Sequence, residues 1–343
     1  MIARLHPATF ALVMATGIVS IACELNGLRP IAIALLVLNC VFYVAVWVLT
    51  VLRAVLHRDR LIADFLDHGR SVGFFTTVAA TCVLGSQLLI VGGFVRAAIV
   101  LWCVGVVLAF LLTYTIFGIL TVKEQKPTLA EGINGGWLVG VVAAQSVAVL
   151  GAQLAREFTG HEEKVAFFCL FIWLGGCMLY LWIISLIFYR YTFFVMSPSD
   201  LAPPYWINMG AAAISTLAGA MLILAAPISP VLQQILPFVR GFTLFWWSIA
   251  TWWIPMLVIL GIWRHLYRKF PLRYDTLYWG AVFPLGMYTV CTVRLSRAVD
   301  AAFLVAIPRV FVYVALCAWA LAFFGLLLEL RPERRVPTPS GQF

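Results

Sequence analysis

The chain has 343 residues, of which 64% are hydrophobic and 11% charged, and its formal net charge is +9. Soluble globular domains carry about 25% charged residues, so this composition excludes a water-soluble protein and predicts an integral membrane protein. In such a protein the basic residues first indicate topology, and only secondarily an anionic partner.

Apolar stretches of roughly 20 residues, the length that spans a bilayer core, recur along the chain. They predict an all-α fold of ten transmembrane helices in one domain over residues 1–330, followed by a short disordered cytoplasmic tail at 331–343. The predicted spans are 8–26, 31–54, 71–93, 97–122, 135–155, 165–189, 205–226, 240–263, 276–293 and 303–328. The last two are the least regular, because several charged residues lie between them.

Lys and Arg residues are distributed unequally between the two sides of such a bundle. The loops on one side hold 15 of them and the loops on the other side hold 8. The positive-inside rule therefore places both termini in the cytoplasm, with the protein in the cytoplasmic (inner) membrane. Connections after odd-numbered spans, such as "NGLRP" and "GGFVR", are short, which favours five antiparallel helical hairpins in series.

The odd-numbered spans share a pattern that the even-numbered ones lack. Each begins with an aromatic residue and continues with small residues and scattered hydroxyls, as in "FALVMATGIVSIA" and "WINMGAAAISTLA". In membrane helices small residues usually permit close helix packing. Alternatively, five such helices surround a central pore and supply its weakly polar lining. The candidate lining residues are Met14, Thr16, Gly17, Thr77, Thr81, Ser146, Asn208, Ser215 and Thr289.

The ninth span carries the sharpest local feature, Phe283 followed by Pro284. The proline removes a backbone donor and frees the carbonyl of Gly280, so a kink is expected there. A bulky ring beside such a kink is suited to close a pore by dewetting, although it also fits simple packing between helices. Arg294 and Arg297 follow at helical spacing, either to attract anions to the outer mouth or to anchor the helix at the interface.

Residue patterns for catalysis or metal binding are not evident. The eight cysteines lie in apolar stretches without a C-x-x-C pair, and the five histidines show no ligand spacing. We therefore expect no metal, no cofactor and no nucleic-acid partner, and an enzyme is the least favoured class because no clustered catalytic constellation is present.

Three motifs carry a family resemblance. "HPATFALVMATGIVSI", "PPYWINMGAAAIS" and "YWGAVFPLGMYT", in that order, are similar to segments of the tellurite-resistance/dicarboxylate transporter family, which includes bacterial tellurite-resistance protein A, fungal malate and sulfite transporters and plant slow anion channels. The resemblance implies five hairpins around a quasi-fivefold axis, a homotrimer with one pore per subunit, and a gating phenylalanine in the ninth helix, matched by Phe283. Among the odd-numbered spans only the ninth has a mid-span proline, Pro284, which departs from the family pattern of proline-kinked inner helices.

Two functions follow from the residues and the resemblance together. The first is passage of small anions through a pore lined by helices 1, 3, 5, 7 and 9. The second is a secondary carrier for C4-dicarboxylates such as malate, or for a related oxyanion such as sulfite or tellurite. A pore without buried acids offers no obvious site for a coupling proton or sodium ion, which favours the first.

Overall fold

The computed structural model describes residues 2–272 and 274–330, and the described chain folds into helices without a β-strand. The tail predicted at 331–343 lies outside the described residues. Ten long helices follow one another: α1 (Ala11–Leu25), α2 (Arg29–Leu56), α3 (Phe75–Ile90), α4 (Val95–Val122), α5 (Val139–Leu154), α6 (Glu162–Phe193), α7 (Ile207–Ala225), α8 (Leu236–Ile262), α9 (Trp279–Ala298) and α10 (Ala306–Leu330). Short helices at Arg58–Leu66, Leu129–Gly132 and Pro230–Gln234 lie in the connections.

Within residues 2–272 and 274–330, nine helices are long and apolar enough to cross a membrane. The all-α membrane fold predicted from the sequence is thereby confirmed. The long helix outside this set is α9, which contains Pro284 and ends with Arg294 and Arg297, so ten spans remain a prediction. Because other helices rather than lipid surround α9, which is buried along most of its length, it needs less hydropathy than a lipid-facing helix.

The odd-numbered helices lie inside the bundle and the even-numbered ones outside. In the spans that contain α1, α3, α5 and α7, 78–89% of the residues in the 18-residue apolar window are buried. In the five spans that contain the even-numbered helices, only 17–39% of the window is buried. Large apolar side chains on the outer helices, such as Val37, Val41 and Val44 of α2, are exposed. This is the distribution expected when the even-numbered helices contact lipid.

The inner helices pack against one another in a closed sequence, α1 to α3, α5, α7, α9 and back to α1. Close approach is possible because glycines lie at the contacts. A Cβ atom on Gly210 of α7 would lie 2.7 Å from Cγ of Pro284 in α9, and one on Gly286 of α9 would lie 2.8 Å from Ile18 in α1. Small residues in the odd-numbered helices therefore serve close packing, as the first of the two sequence interpretations holds.

A recurring hydrogen bond joins each hairpin to the next. An aromatic side chain on each outer helix bonds to the inner helix that follows in the closed sequence, so that α10 bonds to α1. The five contacts are Tyr43 hydroxyl to Thr81 Oγ1 (2.9 Å), Trp102 Nε1 to the Val147 carbonyl (3.0 Å), Trp173 Nε1 to the Ser215 carbonyl (2.9 Å), Trp247 Nε1 to Thr292 Oγ1 (3.1 Å) and Trp319 Nε1 to Thr16 Oγ1 (3.0 Å). Each satisfies a buried polar group that would be costly in an apolar environment.

The short helix Arg58–Leu66 is fastened to the end of the bundle by a buried carboxylate. Asp64 lies 2.7 Å from Nη2 of Arg53 in α2 and 2.6 Å from Nε of Arg70, which directly precedes the 3₁₀ turn that leads into α3, the second inner helix. The rings of Phe65 and Phe74 stack with centroids 3.9 Å apart. These contacts fix the entry of α3 beside the end of α2.

Candidate functional site

The inner helices enclose a cavity of about 270 Å³ where their N-terminal ends meet. We call it the vestibule. Every inner helix, or the turn that precedes it, contributes to its wall. The lining includes Ala8 and Met14 from the α1 segment, Gly73 and Thr76 from the α3 segment, Gly136 and Val142 from the α5 segment, Tyr205 and Ile207 from the α7 segment, and Leu277 and Phe283 from the α9 segment.

The backbone at the vestibule favours negative charge. Each inner helix is preceded by a 3₁₀ turn, and these turns are Pro7–Phe10, Ser71–Phe74, Gly135–Leu138, Pro203–Trp206 and Thr276–Tyr278. Free N–H groups and the positive end of the helix dipole occur at a helix N-terminus. Because residues from all five turns border the vestibule, five positive dipole ends converge on one cavity, an arrangement that suits an anion.

Arg190 supplies a positive side chain in the vestibule. It lies near the end of α6, is only 8% exposed, and donates from Nη1 to the carbonyl of Ile133 (3.1 Å) and to the hydroxyl of Tyr205. The nearest carboxylate, that of Asp200, is 3.9 Å from Nη2. Nε has no hydrogen-bond acceptor in the described chain. The guanidinium is therefore held in place with unused donor capacity beside the cavity.

His6 lies at the same mouth but is uncharged at neutral pH. Its Nδ1 accepts a hydrogen bond from the N–H of Ala8 at 3.0 Å and so caps the first turn. Burial, followed by the positive charge of Arg70, lowers the pKa of His6 to about 4. A neutral imidazole is what capping requires, since a protonated Nδ1 could not accept the bond.

A second cavity lies farther along the same helices and is much smaller. Its volume is about 10 Å³, close to the ~10–15 Å³ needed for one water molecule. All five inner helices again contribute, among them through Ile18, Ser86, Ser146, Leu217 and Met287. The two cavities are therefore bordered by the same five helices.

Phe283 lies in α9 one helical turn before the second cavity. It borders the vestibule and is 1% exposed, and Met287, one helical turn farther along α9, borders the second cavity. Four residues correspond to about 6 Å along a helix. Pro284 does not face the axis: it packs against Gly210 of α7. The proline thus fixes the α7–α9 contact while the adjacent ring is directed at the passage.

Two of the residues that we predicted to line the passage border these cavities. Met14 borders the vestibule and Ser146 borders the second cavity. Three others contact outer helices instead. Thr16 and Thr81 accept or share the aromatic hydrogen bonds described above, and the carbonyl of Ser215 accepts the bond from Trp173.

The remaining predicted lining residues also border neither cavity. Asn208 donates to the hydroxyl of Tyr191 at 3.2 Å, close to the end of α6. Thr77 and Thr289 bond to carbonyls of their own segments, those of Phe74 and Leu285. Gly17 is a close-packing position, since a Cβ there would lie 2.7 Å from Val83 of α3 and 3.0 Å from Asn39 of α2.

Arg294 and Arg297 continue the axis-facing line of α9. Phe283, Met287 and Val290 border the cavities at spacings of four and three residues, and the two arginines follow at the same spacings. Arg294 is partly buried and Arg297 is exposed. No ion pair joins either of them to an acidic residue among residues 2–272 and 274–330.

The site has the geometry of a passage. Across the described chain, no three His, Cys, Asp or Glu side chains are grouped so as to hold a metal ion. The fold and the two aligned cavities are those of an α-helical membrane transporter or channel. A family model described as voltage-dependent anion channel matches residues 4–327, and the chain belongs to this family. The resemblance seen in the three sequence motifs is thereby confirmed.

Several proteins are similar to the chain. An uncharacterized transporter of Methanocaldococcus jannaschii is 28% identical over 289 residues, covering 82% of this chain and 81% of that protein. A sulfite efflux pump of Trichophyton rubrum is 23% identical over 348 residues, covering 94% and 90%. An uncharacterized membrane protein of Mycobacterium tuberculosis is 38% identical over 152 residues, covering 44% and 77%. These relatives are named as membrane proteins and transporters.

Proposed function

We propose that this protein lets small anions cross the membrane along the axis of its five inner helices, with Phe283 as the gate. The observation that carries the proposal is that both cavities are bordered by all five inner helices, with Phe283 in the wall of the vestibule and Met287, one helical turn farther along α9, in the wall of the second cavity. The family supports an anionic substrate. Met14 and Ser146 are the predicted residues that we retain in the lining, one on each side of the ring.

Charge is placed at the ends of this passage and not at its centre. Five helix N-termini and Arg190 attract an anion into the vestibule, and Arg294 and Arg297 attract it at the opposite mouth. The residues between are uncharged and mostly apolar, so a ring can close the passage by excluding water without moving a charge. Selection for anions then occurs at the mouths, whereas closure occurs at Phe283.

Topology and assembly complete the proposal. The side richer in Lys and Arg, which holds the vestibule, faces the cytoplasm, so both termini are cytoplasmic and the protein lies in the cytoplasmic (inner) membrane. We further propose a homotrimer with one passage in each subunit and a quasi-fivefold arrangement of the hairpins. The closed sequence of inner-helix contacts and the recurring aromatic hydrogen bonds support that arrangement.

The alternative is a secondary carrier for C4-dicarboxylates such as malate or for an oxyanion such as sulfite or tellurite. The similarity to a sulfite efflux pump favours it. A coupled carrier needs a site for its driving ion, usually a buried carboxylate. Among the described residues the one buried acid is Asp64, which is committed to Arg53 and Arg70, so the passive passage is the better-supported proposal.

Recordings from the purified protein in planar bilayers test the two functions. A pore gives unitary currents that follow the chloride, nitrate or sulfite gradient. A carrier instead gives no unitary current and exchanges radiolabelled malate or sulfite in a counter-ion-dependent, saturable manner. Silent bilayers together with such exchange would overturn the pore.

A matched pair of cysteine variants tests the lining. We expect a charged, membrane-impermeant thiol reagent to reduce the current of Met14→Cys, since Met14 borders the vestibule, and to leave Thr16→Cys at the wild-type level, since Thr16 contacts α10. Block of Thr16→Cys without block of Met14→Cys contradicts the assigned axis.

A further inference from the structure

Arg264 is a buried cation without a partner. It lies in a π-helical turn, Trp263–Tyr267, at the end of α8, and it is 8% exposed. The described chain offers it no ion pair and no hydrogen bond to its side chain, and Nε is buried without an acceptor. The Phe270 ring lies 4.4 Å from Cζ of the guanidinium. Burying a charge in this way is costly unless an anion or hydrogen-bond acceptor compensates it.

The guanidinium borders a cavity of about 180 Å³ on the outside of the inner ring. This cavity lies between the end of α8 and the start of α7 and α9, and it includes His265 and Tyr278 besides apolar residues. Beside it, Arg268 and Lys269 are exposed and add positive charge. The cavity thus presents donors to a ligand that arrives from the membrane surface, outside the proposed anion passage.

An apolar groove continues from this cavity. The groove has a volume of about 390 Å³ and runs along α9 and α10, where Leu285, Ala318, Leu321 and Ala322 border it. Trp206, Tyr278 and Ala281 border both spaces, so the cavity and the groove are contiguous. Tyr and Trp at such a junction are typical of the membrane–water interface.

The groove marks a gap in the outer layer. Between Trp279 and Val293 every residue of α9 is fully buried except Ala281 and Leu285, which lie one turn apart and border the groove. A cation-lined cavity that opens into an apolar channel matches an amphipathic molecule with an anionic head. Arginine binds phosphate oxygens through several parallel hydrogen bonds.

We propose that Arg264 binds the phosphate of an anionic phospholipid whose acyl chain lies in the groove along α9 and α10. The lipid supplies the acceptors that Arg264 lacks within the described chain. It also covers Ala281 and Leu285, the partly exposed residues of α9 on either side of Phe283 in sequence. The site takes its lipid from the leaflet on the vestibule side.

Native mass spectrometry of the full-length, delipidated protein tests this site by titration with phosphatidylglycerol or phosphatidylcholine. We expect wild type to retain phosphatidylglycerol preferentially, and Arg264→Gln to bind it about tenfold more weakly and to lose the preference. The matched control is Arg268→Gln, which removes the same charge from an exposed neighbour and should change binding less than about twofold. Wild-type affinity in Arg264→Gln overturns the proposal.

Two further arms separate lipid from other occupants. Ala318→Phe fills the groove without changing charge and should weaken both lipids, while inorganic phosphate alone should not displace phosphatidylglycerol. If millimolar phosphate displaces phosphatidylglycerol, the cavity is a site for free anions. If Ala318→Phe dissociates the oligomer and leaves lipid binding unchanged, the groove is a contact between subunits. Either result overturns the lipid site. Since Arg264 has no ion pair or side-chain hydrogen bond to lose within the described chain, and only the contact with the Phe270 ring, the melting temperature of lipid-free Arg264→Gln should fall little, which separates lost binding from misfolding.

Discussion

Replacing Phe283 by alanine removes the ring that we propose as the gate between the vestibule and the second cavity. The ring is 1% exposed, so an anion that follows the axis must first displace a fully buried phenyl group. Truncation leaves a Cβ atom at that position and joins the vestibule to the space beside Met287. We therefore expect Phe283→Ala to raise anion flux.

The size of the increase follows from the burial of the ring. Moving a fully buried phenylalanine side chain into an exposed position costs about 1.5–3 kcal/mol. If this cost is part of the barrier in the wild-type protein, its removal raises the rate by about tenfold for each 1.4 kcal/mol. The expected gain in flux is thus on the order of 10- to 100-fold.

Chloride efflux from liposomes that contain the purified protein measures this gain, and Phe75→Ala is the matched control. Phe75 is equally buried but packs against Phe117 of α4, with ring centroids 5.7 Å apart, and borders neither cavity. Its truncation should cost about 3–5 kcal/mol of stability and leave the flux of the folded protein unchanged. The gate assignment is refuted if Phe283→Ala conducts like wild type, or if both variants conduct equally well.

Two predictions concern stability, measured as the melting temperature in detergent. Gly210→Ala places a Cβ 2.7 Å from Cγ of Pro284 and should cost about 1–3 kcal/mol of stability through overpacking. The control is Gly118→Ala, whose Cβ enters open space and which should be neutral or stabilising by up to about 1 kcal/mol. Equal changes in melting temperature for the two variants would contradict the close contact. The second prediction concerns His6, whose pKa is about 4 in the folded protein against 6.5 for the unperturbed group. As the pH falls, the unfolded state therefore binds a proton before the folded state does. The free energy of unfolding should decrease between pH 6.5 and 4 by up to about 3 kcal/mol. His6→Asn, which keeps an acceptor for the first turn, should flatten this decrease, and an unaltered slope would exclude His6 as its source.

The sequence predicted the class of protein and the course of the helices well. Predicted spans 31–54 and 97–122 correspond to α2 (Arg29–Leu56) and α4 (Val95–Val122). The reason is that lipid contact requires long, almost uncharged helices, and this requirement is visible in the hydropathy of the chain itself. The ninth span is the exception, because α9 is enclosed by other helices and is not subject to that requirement.

The direction in which inner-helix side chains point could not be read from the sequence. Residues 11–23 of α1 are all buried, so its hydrophobicity has no polar face whose period would reveal the axis. Hydroxyl groups were therefore the available signal for the lining. In the structure Thr16 and Thr81 form hydrogen bonds with Trp319 and Tyr43 of outer helices. A hydroxyl buried in an apolar interior needs such a partner, so its presence in an inner helix does not by itself indicate a passage.

Arg190 and the turns that surround the vestibule were not identified from the sequence at all. Arg190 meets Ile133, 57 residues away, and Tyr205 only once the hairpins have packed. In the sequence it is one of many basic residues at the end of a span, where interfacial anchoring is the common role. Its function at the vestibule depends on tertiary contacts that no local pattern records.

Different polar groups stabilise the helix bundle and select the anion in the proposed passage. Hydroxyls and indoles such as Thr16 and Trp319 hold the hairpins together, while the proposed passage is bordered by mostly apolar groups and ends in arginines. A change to the hairpin contacts should therefore lower stability before it alters which anion passes, and a change at Arg190 or Arg294 should alter anion preference before it lowers stability. Phe283 belongs to neither set, because in the proposed passage its ring closes a mostly apolar constriction, which needs no charge to be moved.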